Sequence, residues 1–159
     1  MTCNIKISKA AITESEEILR LQKIAFATEG ELYNNFNIEP LTQTIDSIKS
    51  DFASYTFLKA EVDDKIIGSV KAIANNGTCS IGKLFVIPEF RNKGIGKMLM
   101  DGIEKEFSNA LKYEIFTGSK SEHNIKFYAS LGYNAEDTIP EKNTPISLVV
   151  MVKYNDIKK

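Results

Sequence analysis

The stretch Ile81-Gly-Lys-Leu-Phe-Val-Ile-Pro-Glu-Phe-Arg-Asn-Lys-Gly-Ile-Gly-Lys-Met-Leu-Met-Asp-Gly-Ile-Glu-Lys-Glu-Phe107 decides the fold. Leu84 to Ile87 form a β-prone apolar run that Pro88 stops. From Ile95 the apolar residues recur at Leu99, Ile103 and Phe107, one stripe of an amphipathic helix. The reading is strand, short loop, helix. The loop Arg91-Asn92-Lys93-Gly94-Ile95-Gly96 carries two glycines, which let the backbone turn tightly and let a ligand approach without meeting a Cβ. It opens directly into a helix start, whose unpaired N–H groups and positive dipole end favour an anion, and Arg91, Lys93 and Lys97 add positive charge. A phosphate or pyrophosphate suits such a loop.

The spacing excludes two common phosphate loops. A P-loop needs Gly where Arg91 stands and Ser or Thr where Met98 stands, and a dinucleotide fingerprint needs Gly where Leu99 stands. The stretch instead resembles the acetyl-CoA signature of the GNAT (GCN5-related N-acetyltransferase) superfamily, Arg/Gln-x-x-Gly-x-Gly/Ala between an apolar strand and an amphipathic helix. Arg91, Gly94 and Gly96 fill it. The resemblance implies that Arg91, Asn92, Lys93, Gly94, Ile95, Gly96 and Lys97 bind the cosubstrate's pyrophosphate. It also implies that the backbones of Leu84, Phe85 and Val86 bind its pantetheine arm.

Working outward, the order of elements agrees with this resemblance. Asn4 to Ser8 reads as an edge strand, and Thr13-Glu-Ser-Glu16 has capping-box form ahead of a helix with Ile18, Leu21 and Ala25 on one face, expected to stop near Gly30. Residues 29–40 read as a loop, and Ile45, Ile48 and Phe52 as a second helix. Tyr55 to Val62, Ile66 to Ala74 and Thr78 to Ile87 read as three strands of an antiparallel meander, with Asn75-Asn76-Gly77 a hairpin turn. After the central helix come a strand over Lys112 to Thr117, parallel to its predecessor, and a helix capped by Ser121 and ended by Gly132. Tyr133 to Thr138 and Ile146 to Tyr154 complete the chain as strands. The fold class is α/β. The GNAT fold expected has a mixed, mostly antiparallel sheet of about six or seven strands, splayed parallel central strands and about four helices.

Composition bounds the function. The 159 residues suit one domain over 1–159, and a net charge of -1 gives no bulk signal for nucleic acid. Cys3 and Cys79 are too few for a disulfide scaffold, and a single His123 without a Cys-x-x-Cys pair excludes the usual zinc sites, so no metal is expected. With no apolar leader and no run long enough to span a bilayer, a cytoplasmic protein without membrane partners is expected, monomer or homodimer.

Asn124 and Tyr128, four apart on one helix face, resemble the second GNAT landmark. The resemblance implies that Asn124 touches the cosubstrate and that Tyr128 is the general acid towards the leaving sulfur of acetyl-CoA. It also implies that an N–H near Val86 polarises the thioester carbonyl. The implied activity is transfer of acetyl from acetyl-CoA to a primary amine of a small molecule or protein, by direct attack in a ternary complex. The alternative is a non-catalytic acyl-CoA-binding or sensing module of the same fold. A Glu that some relatives place eleven residues before the signature Arg is Ser80 here, which leaves water relay or a carboxylate such as Glu29 or Glu31 as the base. Glu29, Glu31 and Tyr33, in the region where relatives build the acceptor site, are the candidate contacts for the amine acceptor.

Overall fold

The computed structural model describes residues 4–140 and 146–156. An edge strand, β1 (Lys6–Lys9), pairs antiparallel with β2 (Thr56–Val62), which continues through β3 (Lys65–Asn75) to β4 (Thr78–Val86). Two tight turns make this meander. Asp63 and Asp64 (φ 51° and 64°) and Asn76 and Gly77 (52° and 84°) each put two successive residues in the left-handed region, the hairpin geometry whose twist matches the flanking strands.

Between β1 and β2 run three helices: α1 (Ser15–Tyr33), a single turn α2 (Glu39–Thr42) and α3 (Ile45–Ser54). Three expectations change here. The capping box expected at Thr13 does not form: Glu14 Oε1 accepts from the Ala11 N–H at 3.0 Å, half of a box whose alanine N-cap has no side-chain acceptor, and a short 3₁₀ turn over Ile12–Glu14 precedes the helix. The helix does not stop at Gly30 but continues to an Asn34 cap with φ 49°. A Cβ on Gly30 would lie 2.7 Å from Phe36 Cδ1 and 2.9 Å from Leu41 Cδ1, so the glycine serves close packing inside the helix rather than termination. The loop expected over 29–40 is correspondingly short, with Glu29, Glu31 and Tyr33 carried on helix.

After β4 come α4 (Ile95–Glu106), β5 (Lys112–Gly118), α5 (Glu122–Ser130), β6 (Asn134–Pro140) and β7 (Ser147–Tyr154). The seven strands form one sheet in the order β1-β2-β3-β4-β5-β7-β6. Only β4 and β5 are parallel, as the α4 crossover requires. Among the described residues there are five α-helices, α2 being the addition to the expected count.

Helices cover both faces. Successive β2 residues point to opposite sides: the Phe57 ring stacks on Phe52 of α3 at 3.8 Å, whereas Leu58 approaches α4 where Gly102 leaves room, a Cβ there lying 3.1 Å from Leu58 Cδ1. Of the α4 stripe read from the sequence, Ile95, Leu99 and Ile103 are almost fully buried and are joined by Met100, whereas Phe107 is half-buried at the C-cap. Cys79 is buried on β4, and burial, reinforced by the charge of Glu104, pushes its thiol up to about 12. A thiol so strongly protonated is a packing residue, not a nucleophile.

Candidate active site

The site begins where β4 and β5 part. They pair only from Thr78 with Lys112 to Ile81 with Ile115. Beyond that point β4 stays with β3 and β5 with β7. A β-bulge sits at the fork: Ser69 pairs with Phe85 and Lys71 with Gly82, which leaves Lys83 and Leu84 opposite Val70, with Lys83 at φ 52°. The Ile87 N–H donates to Ile67 O at 2.9 Å, so by strand alternation Phe85 also faces β3. Leu84 and Val86 therefore turn their backbone groups towards the opening. Of the three residues expected there, Leu84 lines the cleft, Val86 turns its backbone away from β3, and Phe85 packs its ring into the core, edge-on to Phe26.

The cleft between the parted strands has a volume of about 270 Å³. Phe26, Glu29 and Tyr33 of α1 line it on one side, Phe116 to Gly118 of β5 on another, and Asn124 and Tyr128 of α5 close it. The Tyr128 ring is held 5.3 Å from that of Phe127 and 6.2 Å from that of Tyr133, and its hydroxyl makes no hydrogen bond among the described residues. Burial first, and the Glu29 carboxylate second, hold that phenol well above the ordinary 10, so it keeps its proton at neutral pH.

Glu29 faces neutral donors. Its Oε2 accepts from Ser121 Oγ at 2.7 Å and its Oε1 from Asn124 Nδ2 at 3.1 Å. Ser121 occupies the α5 N-cap position but its hydroxyl does not cap the helix, because it is committed to Glu29 and to Tyr33, 2.9 Å away. Tyr33 also accepts from the Lys120 N–H at 2.9 Å, and a Cβ on Gly118 would overlap its hydroxyl. Tyr33 thus pins α1 to the β5–α5 connection, and Asn124 orients the carboxylate. Glu31 is exposed and does not line the cleft. The Ser80 hydroxyl bonds Glu114 Oε1 at 3.2 Å and is likewise absent from the lining.

Past the fork the signature loop runs into α4. Asn92 and Gly94 have φ of 63° and 81°, and Gly94 is the N-cap residue. A Cβ on Gly94 would meet nothing within 4 Å, so glycine is required there by its backbone angle; one on Gly96 would lie 3.3 Å from Phe127 Cζ. No side chain caps α4 and no acid stands in its first turn, so the leading N–H groups of Ile95, Gly96 and Lys97 suit an anion. The side chains divide their tasks. Ile95 is core, Lys97 pairs with Asp101 at 2.9 Å, and Asn92 and Lys93 are exposed. The Arg91 guanidinium points inward, donating to Val86 O at 3.1 Å, Ala25 O at 2.7 Å and Thr28 Oγ1 at 3.1 Å.

The sequence reading missed Lys83 and Lys71, which line the cleft beside Glu39. The signal for Lys83 was a lysine inside an otherwise uncharged strand. Lys83 Nζ binds Glu39 and also Gln43 Oε1 at 3.0 Å, while Lys71 Nζ binds Asp51 at 2.8 Å and sits 4.2 Å over the Tyr55 ring.

A mixed seven-stranded sheet whose parallel central pair parts beside a glycine-capped helix start defines the class of N-acetyltransferase folds. The chain belongs to the GNAT family: residues 22–154 match the family model described as "Acetyltransferase (GNAT) domain". A curated relative, UPF0157 protein YqkA of Bacillus subtilis (strain 168), is 26% identical over 130 residues, covering 80% of this chain; the chain spans 36% of the length of that relative. Among the solved structures that share the fold are two N-acetyltransferases. The ribosomal-protein-S18-alanine N-acetyltransferase from Escherichia coli has a TM-score of 0.80 at 13% identity, covering 98% of this chain and 97% of that one. The PaiA N-acetyltransferase from Thermoplasma acidophilum, in complex with coenzyme A, has a TM-score of 0.76 at 21% identity, covering 95% and 99%.

Proposed function

We propose that the chain is an acetyl-CoA-dependent N-acetyltransferase, moving an acetyl group to a primary amine of a small molecule or protein by direct attack in a ternary complex. The observation that carries this reading is the parting of β4 from β5 beside an uncapped α4 start, with Tyr128 and Glu29 on the wall of the cleft. The coenzyme A complex of the PaiA relative supports it. The reading takes residues 1–159 as one cytoplasmic domain, monomer or homodimer.

The residues present fit the cosubstrate. The leading N–H groups of α4 suit the pyrophosphate, and the exposed backbone edge of Leu84 and Val86 suits the amides of the pantetheine arm. Acetyl-CoA supplies an activated thioester: an amine forms the C–N bond as the C–S bond breaks and the thiol leaves. The Val86 N–H faces the opening and serves the carbonyl oxygen, where negative charge grows. Arg91 assists indirectly, since its hold on Val86 O fixes the strand end. Glu29, supplied with neutral donors only among the described residues, takes the proton that the amine gives up. Tyr128 gives a proton to the departing sulfur and recovers one from solvent. Its raised pKa makes this donation uphill towards a thiolate of about 8.5, so placement of the hydroxyl counts for more than its acidity.

The test compares native protein with Tyr128→Phe for acetyl-CoA binding by calorimetry and for thiol release over a broad amine panel. Both are expected to bind acetyl-CoA, with kcat lower in the variant by about a hundredfold. Binding without turnover on any amine would replace the enzyme with an acyl-CoA-binding module. Failure to bind would end both readings.

A further inference from the structure

Two lysines of the cleft wall each pair with an acid, and the two pairs are not equivalent. Lys71 is locked: its side chain is 12% exposed, its partner Asp51 is 22% exposed, and Asp51 also accepts from Gln43 Nε2 at 2.8 Å. Lys83 is as deeply set, at 15%, but its acidic partner Glu39 is 53% exposed. Glu39 stands first in the four-residue turn α2, and among the described residues its carboxylate has Lys83 as its one hydrogen-bonding partner. The left-handed backbone of Lys83 within the bulge fixes the direction in which this ammonium is presented.

We infer that the acceptor is a small amine that also carries a carboxylate, and that the carboxylate binds Lys83 in place of Glu39. The name "acceptor" rests on the N-acetyltransferase reading; the binding does not.

The argument is one of solvation. A half-exposed acid compensates a buried ammonium poorly, because water screens its charge. Burial accordingly pulls the Lys83 ammonium below its ordinary range, against the opposing pull of Glu39. A ligand carboxylate packed into the cleft would be shielded from water and would interact with Lys83 more strongly. Glu39 loses little when released, since it returns to solvent it already half occupies. Gln43 stays in place, held by Gln22 Nε2 at 3.0 Å, and keeps one Lys83 proton satisfied throughout. The same cleft is lined by Glu29, the carboxylate with neutral donors, and by the apolar Ile38, Pro40 and half-exposed Phe116. Anion, apolar wall and cation together match a zwitterion with an apolar body.

The experiment is calorimetric titration of the full chain with L-phenylalanine, 2-phenylethylamine and N-acetyl-L-phenylalanine, first alone and then with saturating coenzyme A. Phenylalanine is expected to bind at least tenfold more tightly than the amine that lacks its carboxylate. Lys83→Met should abolish that difference while leaving binding of the amine unchanged, and Glu39→Gln should tighten binding of both carboxylates. Circular dichroism and urea midpoints check that the variants fold. Equal binding of phenylalanine and 2-phenylethylamine by native protein overturns the inference. So does equal weakening of both by Lys83→Met, weaker carboxylate binding in Glu39→Gln, or binding of no carboxylate-bearing amine across a panel of small, aromatic and long-chain amino acids. Because binding is read without acetyl transfer, a chain that binds amino carboxylates but transfers no acetyl group would sink the enzyme reading alone.

Discussion

Replacing Arg91 by methionine distinguishes a ligand-binding arginine from a structural brace. The family signature makes Arg91 a candidate phosphate contact, whereas its guanidinium is aimed inward at Val86 O, Ala25 O and Thr28 Oγ1. The Thr28 contact is exposed and is assigned no weight. The other two are part-buried hydrogen bonds from a charged donor, each worth about 1.5–3 kcal/mol, and methionine retains most of the aliphatic packing. Partial rehydration of the two carbonyls lowers their sum, so the expected loss is about 2–4 kcal/mol in protein without ligand. Arg91→Lys should lose nearly as much, because an ammonium cannot reproduce the fork that spans β4 and α1. The assay is urea unfolding followed by circular dichroism, with acetyl-CoA affinity measured in parallel under conditions where both variants are folded. A loss below about 0.5 kcal/mol without ligand, with affinity nonetheless collapsing in Arg91→Met and surviving in Arg91→Lys, would refute the brace and restore the guanidinium as a phosphate ligand.

Glu29→Gln should lower kcat roughly a hundredfold with acetyl-CoA affinity intact, and an unchanged kcat in stopped thiol-release assays would remove Glu29 as the proton acceptor. Gly118→Ala should cost about 1–3 kcal/mol through overlap with the Tyr33 hydroxyl, and most of that cost should vanish in a Tyr33→Ala background; an equal cost in both backgrounds, by denaturant titration, would contradict the contact. Burial lowers the Lys83 pKa from 10.5, so the unfolded chain holds that proton more firmly than the folded one, and stability rises with pH through the window just below 10.5. Native protein should therefore gain stability relative to Lys83→Met between about pH 7 and about pH 10, and a constant or shrinking difference in urea midpoints would count against the buried ammonium.

What was legible in the sequence was local. The Asn76-Gly77 turn, the α4 stripe and the glycine loop that opens α4 each depend on residues within one turn or one hairpin, and each stands close to where the pattern puts it. Gly30 was misleading for a physical reason: a glycine inside a helix costs only about 1 kcal/mol, and Phe36 and Leu41 fill the space it leaves, which no helix-ending rule registers. The polar wiring was out of reach. Arg91 meets Thr28 and Ala25 from 63 and 66 positions away, and Ser121 meets Glu29 from 92, so the inward turn of the arginine and the redirected cap follow from packing. Lys83 was visible only as an oddity, because a bulge that reverses a lysine's direction depends on the partner strand's register.

The fork between β4 and β5 also has a mechanical meaning. The sheet is two plates, β1 to β4 and β5 with β7 and β6, and the backbone weld between them is four residue pairs long. Everything beyond Ile81 is lever arm. Twist applied to one plate reaches the other through that short weld, through α4, and through the cross-tie from Tyr33 and Glu29 of α1 to Lys120, Ser121 and Asn124. A guest that bonds both edges of the fork lengthens the weld, so the stiffness of the whole molecule, and not the cleft alone, registers what the cleft holds.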